Sequence, residues 1–156
     1  MNIKTETIIE PSEKILGIQQ EKLREIKIIL PNSEVEPVGA MAVPMVGRPE
    51  LDFMVISNDV EEDSKKLVEN GYKQGPKVEA TSFLKIMNWD VEVAVQIMPP
   101  GSKMIETHRK IVDKLRKDDS LRNKYEEFKR SLSGLSREEY KQKKSGWIRE
   151  NLNPLL

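Results

Sequence analysis

The stretch 38–56 reads VGAMAVPMVGRPELDFMVI. An apolar run is broken by glycine at 39 and followed by a segment with two carboxylates, Glu50 and Asp52, at alternate positions. Alternation along an extended strand sends Glu50, Asp52, Met54 and Ile56 to one face and Leu51, Phe53 and Val55 to the other, into a core. Two carboxylates on one strand face invite a divalent cation. Magnesium takes a couple of carboxylates, several waters and the phosphate oxygens of a substrate, the set used in metal-assisted phosphoryl or nucleotidyl transfer. Beside them, Gly39 and Ala40 offer a turn whose backbone N–H groups suit phosphate oxygens, and Arg48 and Lys85 flank the segment as candidate neutralising charges.

Upstream, Ser12 is placed to cap a helix running to about Leu30. Leu16, Leu23, Ile26 and Leu30 recur on one helical face before Pro31 and Asn32 stop it. A short strand at Val35 to Gly39 leads into the turn, and Leu51 to Ser57 forms the central strand. Asp59, with Glu62 three residues on, opens a second helix that Asn70 and Gly71 close. Two further strands follow at about Thr81 to Met87 and Trp89 to Met98, joined by a tight turn near Asn88 and Trp89. In the second, Val91, Val93, Val95 and Ile97 alternate with Asp90, Glu92, Ala94 and Gln96, which predicts one buried and one polar side.

Past Pro99, Pro100 and Gly101 the period changes to that of helices. Met104, His108, Ile111 and Leu115 form one apolar stripe, with His108 read as a partly buried packing histidine, and Leu121, Tyr125, Phe128 and Leu132 form another. Ser136 and Glu139 make a capping box, with Leu135 and Tyr140 as its staple, before a last helix through Trp147, Ile148 and Leu152. Arg109, Lys110, Arg116, Lys129, Lys141 and Lys143 sit among acids and read as solvated faces. The expected architecture is one α/β domain over 1–156: a small mixed sheet packed by helices over about 1–101 and a C-terminal helical segment over about 102–156.

Charged residues make up 33% of the 156-residue chain, but Lys and Arg balance Asp and Glu at 26 each. That balance gives no polybasic surface for nucleic acid or membrane. There is no cysteine and only one histidine, so any metal is held by oxygen rather than in a zinc site. With no apolar stretch long enough to span a bilayer, and no signal-peptide pattern at the start, a cytoplasmic location is expected.

A small-residue turn, a spacer and an acid-x-acid strand together resemble the opening of the DNA polymerase beta type nucleotidyltransferase superfamily. The finer resemblance is to the GrpB family. It is carried by GAMAVPMV at 39–46, RPELDFMV at 48–55, Asp113 with Leu115 and Arg116, Tyr125, Phe128 with Lys129, Tyr140, and Lys144 ahead of Trp147 and Ile148. The chain departs from the family pattern at Ala40, where a serine is usual, around Thr81 to Leu84, at Ala94 and Gln96, and at Val112. It is identified as a divergent member.

The resemblance implies a nucleotidyltransferase-like fold and Mg²⁺-dependent transfer of a nucleoside monophosphate from an NTP to an acceptor. Glu50 and Asp52 would be the metal-binding catalytic pair, with Glu92 or Asp90 on the neighbouring strand as the third acid. Gly39, Ala40, Arg48, Tyr140 and Lys144 would surround the nucleotide. The lost polar positions leave a second reading open: a catalytically degenerate relative that binds a nucleotide or a phosphorylated small molecule.

Overall fold

The computed structural model describes residues 5–77, 81–86 and 91–156, and for 76, 77, 82 and 84–86 the backbone alone. Helix α1 (Glu13–Ile29) starts where Ser12 accepts a hydrogen bond from the Ile15 N–H. Strand β1 (Glu34–Val38) follows, then the long turn, strand β2 (Glu50–Ile56) and helix α2 (Val60–Glu69). Asp59 caps α2 through the Glu62 N–H, and Gly71 takes the left-handed conformation beyond its end. Strands β3 (Lys73–Lys77), β4 (Thr81–Ile86) and β5 (Glu92–Met98) complete the sheet, and helices α3 (Lys103–Lys117), α4 (Asp119–Arg130) and α5 (Arg137–Trp147) complete the chain's main elements. The last helix widens into a π-helical turn at Ile148–Leu152.

The described strands form one mixed sheet in the order β1-β2-β5-β4-β3. β2 runs parallel to β5 and antiparallel to β1, while β4 is antiparallel to both β5 and β3. Strand β3 is absent from the expectations above, because its sequence KQGPK contains two residues that strand patterns avoid. It sits at the sheet edge with a register shift between Gln74 and Lys77, the setting in which Gly and Pro are tolerated. The turn expected at Asn88 and Trp89 lies outside the described residues.

Helices cover both faces. On one, Leu51, Phe53 and Val55 of β2 and Val93, Val95 and Ile97 of β5 pack with Ile15, Ile18, Ile26 and Leu30 of the first helical region and Leu67 of α2. On the other, α3 brings Ile105 onto Val38, Met54 and Met98, and a further cluster joins Met45, Leu115, Leu121, Tyr125 and Leu152. Met54, on the same strand face as the two carboxylates, is therefore fully buried. Only the N-terminal half of that face stays open as a cavity wall.

The 3₁₀ turn at Ala40–Ala42 and the segment after it are held from three sides. Gly47 exchanges backbone hydrogen bonds with Ile9 at 2.8 and 3.2 Å. Arg116 donates from Nε to the Ala42 carbonyl at 3.0 Å. Glu126 of α4 accepts from the Val46 N–H at 3.1 Å, and Lys129 donates to the Val46 carbonyl at 3.2 Å. A loop so tied presents a fixed edge to whatever lies beneath it.

Phe53 sits with no exposed surface where β2 meets both α1 and α2. Phe53→Ala is expected to cost about 3–5 kcal/mol, read as a lower urea midpoint with unchanged slope.

Candidate functional site

Glu50 and Asp52 line a cavity of about 280 Å³ whose floor is β2 and β5. Its walls are Gly39, Ala40 and Met45 from the turn, His108, Ile111 and Leu115 from α3, Tyr125 and Lys129 from α4, and Lys144, Ile148 and Leu152 from α5 and the turn after it. The cavity has an apolar side and a charged end. That combination suits a ligand with an apolar body and a few polar groups that fix its orientation.

The acidic end is tightly fitted. Gly39 has φ +75°, and a Cβ added there would lie 2.5 Å from Asp52 Oδ2, so glycine is required both for the backbone conformation and for room beside the carboxylate. Burial, then the charge of Glu50 and the hydrogen bond shared with it, hold the Asp52 carboxyl well above the usual aspartate range. Glu50 moves the other way: burial alone would raise it, but the hydrogen bond from Asp52 and the nearby Arg48, Lys144 and Arg137 bring it below its ordinary value. Of the two, Asp52 is therefore the carboxyl that holds a proton more readily.

Glu92 has a different setting from the one expected of a third acid. The parallel register pairs Glu50 with Glu92 and Asp52 with Ala94, so the place next to Asp52 on β5 belongs to a methyl group. Glu92 lines an adjoining cavity with Glu6, Arg48 and Arg137. There it bonds to Arg137 and lies 3.6 Å from Arg48. Arg137 also holds Glu6 at 2.9 Å, Arg48 lies 3.6 Å from Glu6, and Arg48 pairs directly with Glu50. Two arginines therefore gather three glutamates. Among the described residues no group of three or more His, Cys, Asp or Glu side chains is placed to hold a metal ion. Asp90 and the side chain of Lys85 lie outside the described part.

Other expected residues fall as follows. Gly39, Ala40 and Lys144 line the cavity. Tyr140 is buried beneath it, with the Arg48 guanidinium 5.4 Å and the Lys144 ammonium 5.9 Å from its ring centroid. His108 is partly buried, as expected, and also lines the cavity, its Nε2 lying 3.0 Å from Gln96 Oε1. Burial keeps its pKa below 6.5 against the pull of Glu36.

Lys129 is the residue that sequence reasoning misplaced. In place of the solvated face expected of it, it is 2% exposed, lies over the Tyr125 ring at 4.3 Å and lines the cavity. Burial and the charge of Lys144 push its ammonium well below the usual lysine range, against the attraction of Asp52 and Glu126. The available signal was spacing: position 129 is one helical turn from Tyr125 on the apolar stripe. Arg137 and Glu6 gave no such signal, since they are 131 residues apart in sequence.

The likeness to solved structures lies in this fold. A cytoplasmic RNA terminal U-transferase superposes with a TM-score of 0.50 at 12% identity, over 77% of this chain and 42% of the other. Cid1, with RNA terminal uridylyl transferase activity, superposes with a TM-score of 0.51 at 13% identity, over 72% and 40%. The chain spans less than half the length of these structures, and the fold it shares with them is nucleotidyltransferase-like. The chain belongs to the GrpB family: the family model, described as GrpB protein, matches residues 8–153. A UPF0157 protein of Vibrio cholerae serotype O1 is 34% identical over 129 residues, 80% of this chain and 68% of the relative. No helix among the described residues is long and apolar enough to cross a membrane.

Two substitutions test the electrostatics. In the native state Asp52 keeps a proton that the unfolded chain releases above its ordinary value of 3.8. Its contribution is complete below that value and is lost as pH rises towards the native pKa. Asp52→Asn is expected to be more stable than the wild type at neutral pH and to have a flatter stability profile upward from pH 3.8 in urea titrations. Gly39→Ala, forced into a left-handed backbone against a carboxylate, should lose at least about 1–3 kcal/mol by the same measurement.

Proposed function

We propose that the cavity between β2, β5 and helices α3 to α5 binds a nucleotide or another phosphorylated small molecule, with the phosphate at the charged end. The observation that carries this reading is the pair Lys129 and Lys144 in one cavity wall. A lysine that is 2% exposed normally needs a paired anion. Lys129 donates to the neutral Val46 carbonyl and has Asp52 and Glu126 as nearby charges, so a phosphate oxygen would supply a directly paired anion. The apolar side, with Ile111, Leu115, Ile148 and Leu152, suits a base or another flat apolar group.

A second reading, nucleotidyl transfer from an NTP with Mg²⁺, is favoured by the acid-x-acid pair lying directly against Gly39. The donor set fits that ion poorly. Glu50 is taken by Arg48, burial and the charge of Glu50 disfavour the ionised form of Asp52, and the β5 position beside Asp52 is Ala94. No catalytic step is therefore derived through a metal, and the reading of Glu50, Asp52 and Glu92 as a working catalytic set rests on an acid that is tied to two arginines. It needs its own test, transfer of label from an α-labelled NTP to any acceptor.

Titration calorimetry with nucleotides and inorganic phosphate tests the leading reading. Lys144 is partly exposed, and its ammonium lies 5.9 Å from the Tyr140 ring centroid without a side-chain hydrogen bond or salt bridge among the described residues, so Lys144→Met should fold normally. Its affinity is expected to fall about tenfold or more, the equivalent of one charge-assisted hydrogen bond. Unchanged affinity would remove the phosphate from this end of the cavity.

A further inference from the structure

The charges around the cavity constrain what kind of phosphate it takes. Arg48, the strongest cation near the acids, is committed to Glu50, Glu92 and Glu6, and Arg137 to Glu6 and Glu92. Among the described residues, the lysines that line the cavity are Lys129 and Lys144, and they share it with Glu50 and Asp52. A nucleoside triphosphate brings more negative charge than two ammonium groups balance, and enzymes that use it neutralise the remainder with divalent metal. A phosphate monoester carries about −1.5 to −2 at neutral pH, far closer to what two lysines offer.

The usual place for additional metal-binding oxygen on β5 is closed as well. Ala94 stands in register with Asp52, and Glu92, one pleat away, is held by two arginines. A divalent cation arriving at Glu50 would first have to break its contact with Arg48. The cavity volume of about 280 Å³ lies just below the usual range for ligand sites, roughly 300–1,000 Å³, and suits a compact monoester better than a metal-chelated triphosphate.

Resting on the proposed phosphate site, we infer that its ligand is a phosphate monoester, such as a nucleoside monophosphate, held by Lys129 and Lys144 without a divalent cation. Lys129 and Lys144 take over the neutralising role that metal ions serve for a triphosphate. The acid pair then acts as a selector. Acidic groups in the same cavity as the lysines are tolerable beside a monoester but repel the additional phosphates of a longer chain.

Calorimetry of the full chain with adenosine and uridine mono- and triphosphates, each in EDTA and in millimolar MgCl₂, tests this, with MgCl₂ alone as a further arm. The expected result is monophosphate binding whose affinity differs less than about twofold between EDTA and magnesium, and weaker triphosphate binding in both. Glu50→Gln, which removes a repelling carboxylate charge without removing volume, is expected to narrow the gap between mono- and triphosphate. Triphosphate binding that requires magnesium, or saturable magnesium binding by the chain alone, would overturn the inference while leaving the phosphate site standing. Absence of binding by every phosphorylated compound in both buffers would overturn the site itself.

Discussion

Two carboxylates on adjacent inward positions of one strand cannot both stay charged inside a cavity without compensation, and much of the structure around β2 supplies it. Burial raises the cost of each charge, and proximity raises it again. The chain answers with a hydrogen bond between the two carboxyls, with Arg48 against Glu50, and with two lysines in the cavity lining. Gly39 makes the arrangement sterically feasible, since any side chain there would meet Asp52. The constraint thus reaches from the turn, through the strand, to the three C-terminal helices.

That compensation also organises the fold beyond the cavity. Arg48 and Arg137 tie the N-terminal segment, through Glu6, to β5, through Glu92, and so to the start of α5. Lys129 and Glu126, one helical turn apart on α4, grip the two sides of the Val46 peptide group. Isolated surface ion pairs contribute little, but a partly buried network with several hydrogen-bonded members is costly to break at any one point. The loop beside the acids is consequently held as firmly as the sheet it leaves.

Family membership and fold do not by themselves decide what such a site does, because the same scaffold hosts sites of different chemistry. Here the chemistry turns on register. A parallel pairing shifted by one pleat would bring Glu92 beside Asp52; the pairing observed brings Ala94. The difference separates a three-carboxylate metal centre from a cavity whose charge balance comes from lysine.

Much of the scaffold was written locally in the sequence. Ser12, Asp59 and Ser136 cap helices through side-chain bonds three residues away, and the alternation in 50–56 and 91–97 fixes which side chains enter the core, so short-range periodicity was enough to read these elements. Strand β3 was not legible, because its Gly and Pro signal a turn unless an edge position and a bulge accommodate them. The acid pair and the turn glycine could be read because they lie within one short stretch. The committed partners of Glu92 and the burial of Lys129 could not, because strand register and helix docking join groups from 45 to 131 residues apart. Electrostatic compensation depends on distance in space, which a linear pattern leaves unspecified and only the tertiary structure decides.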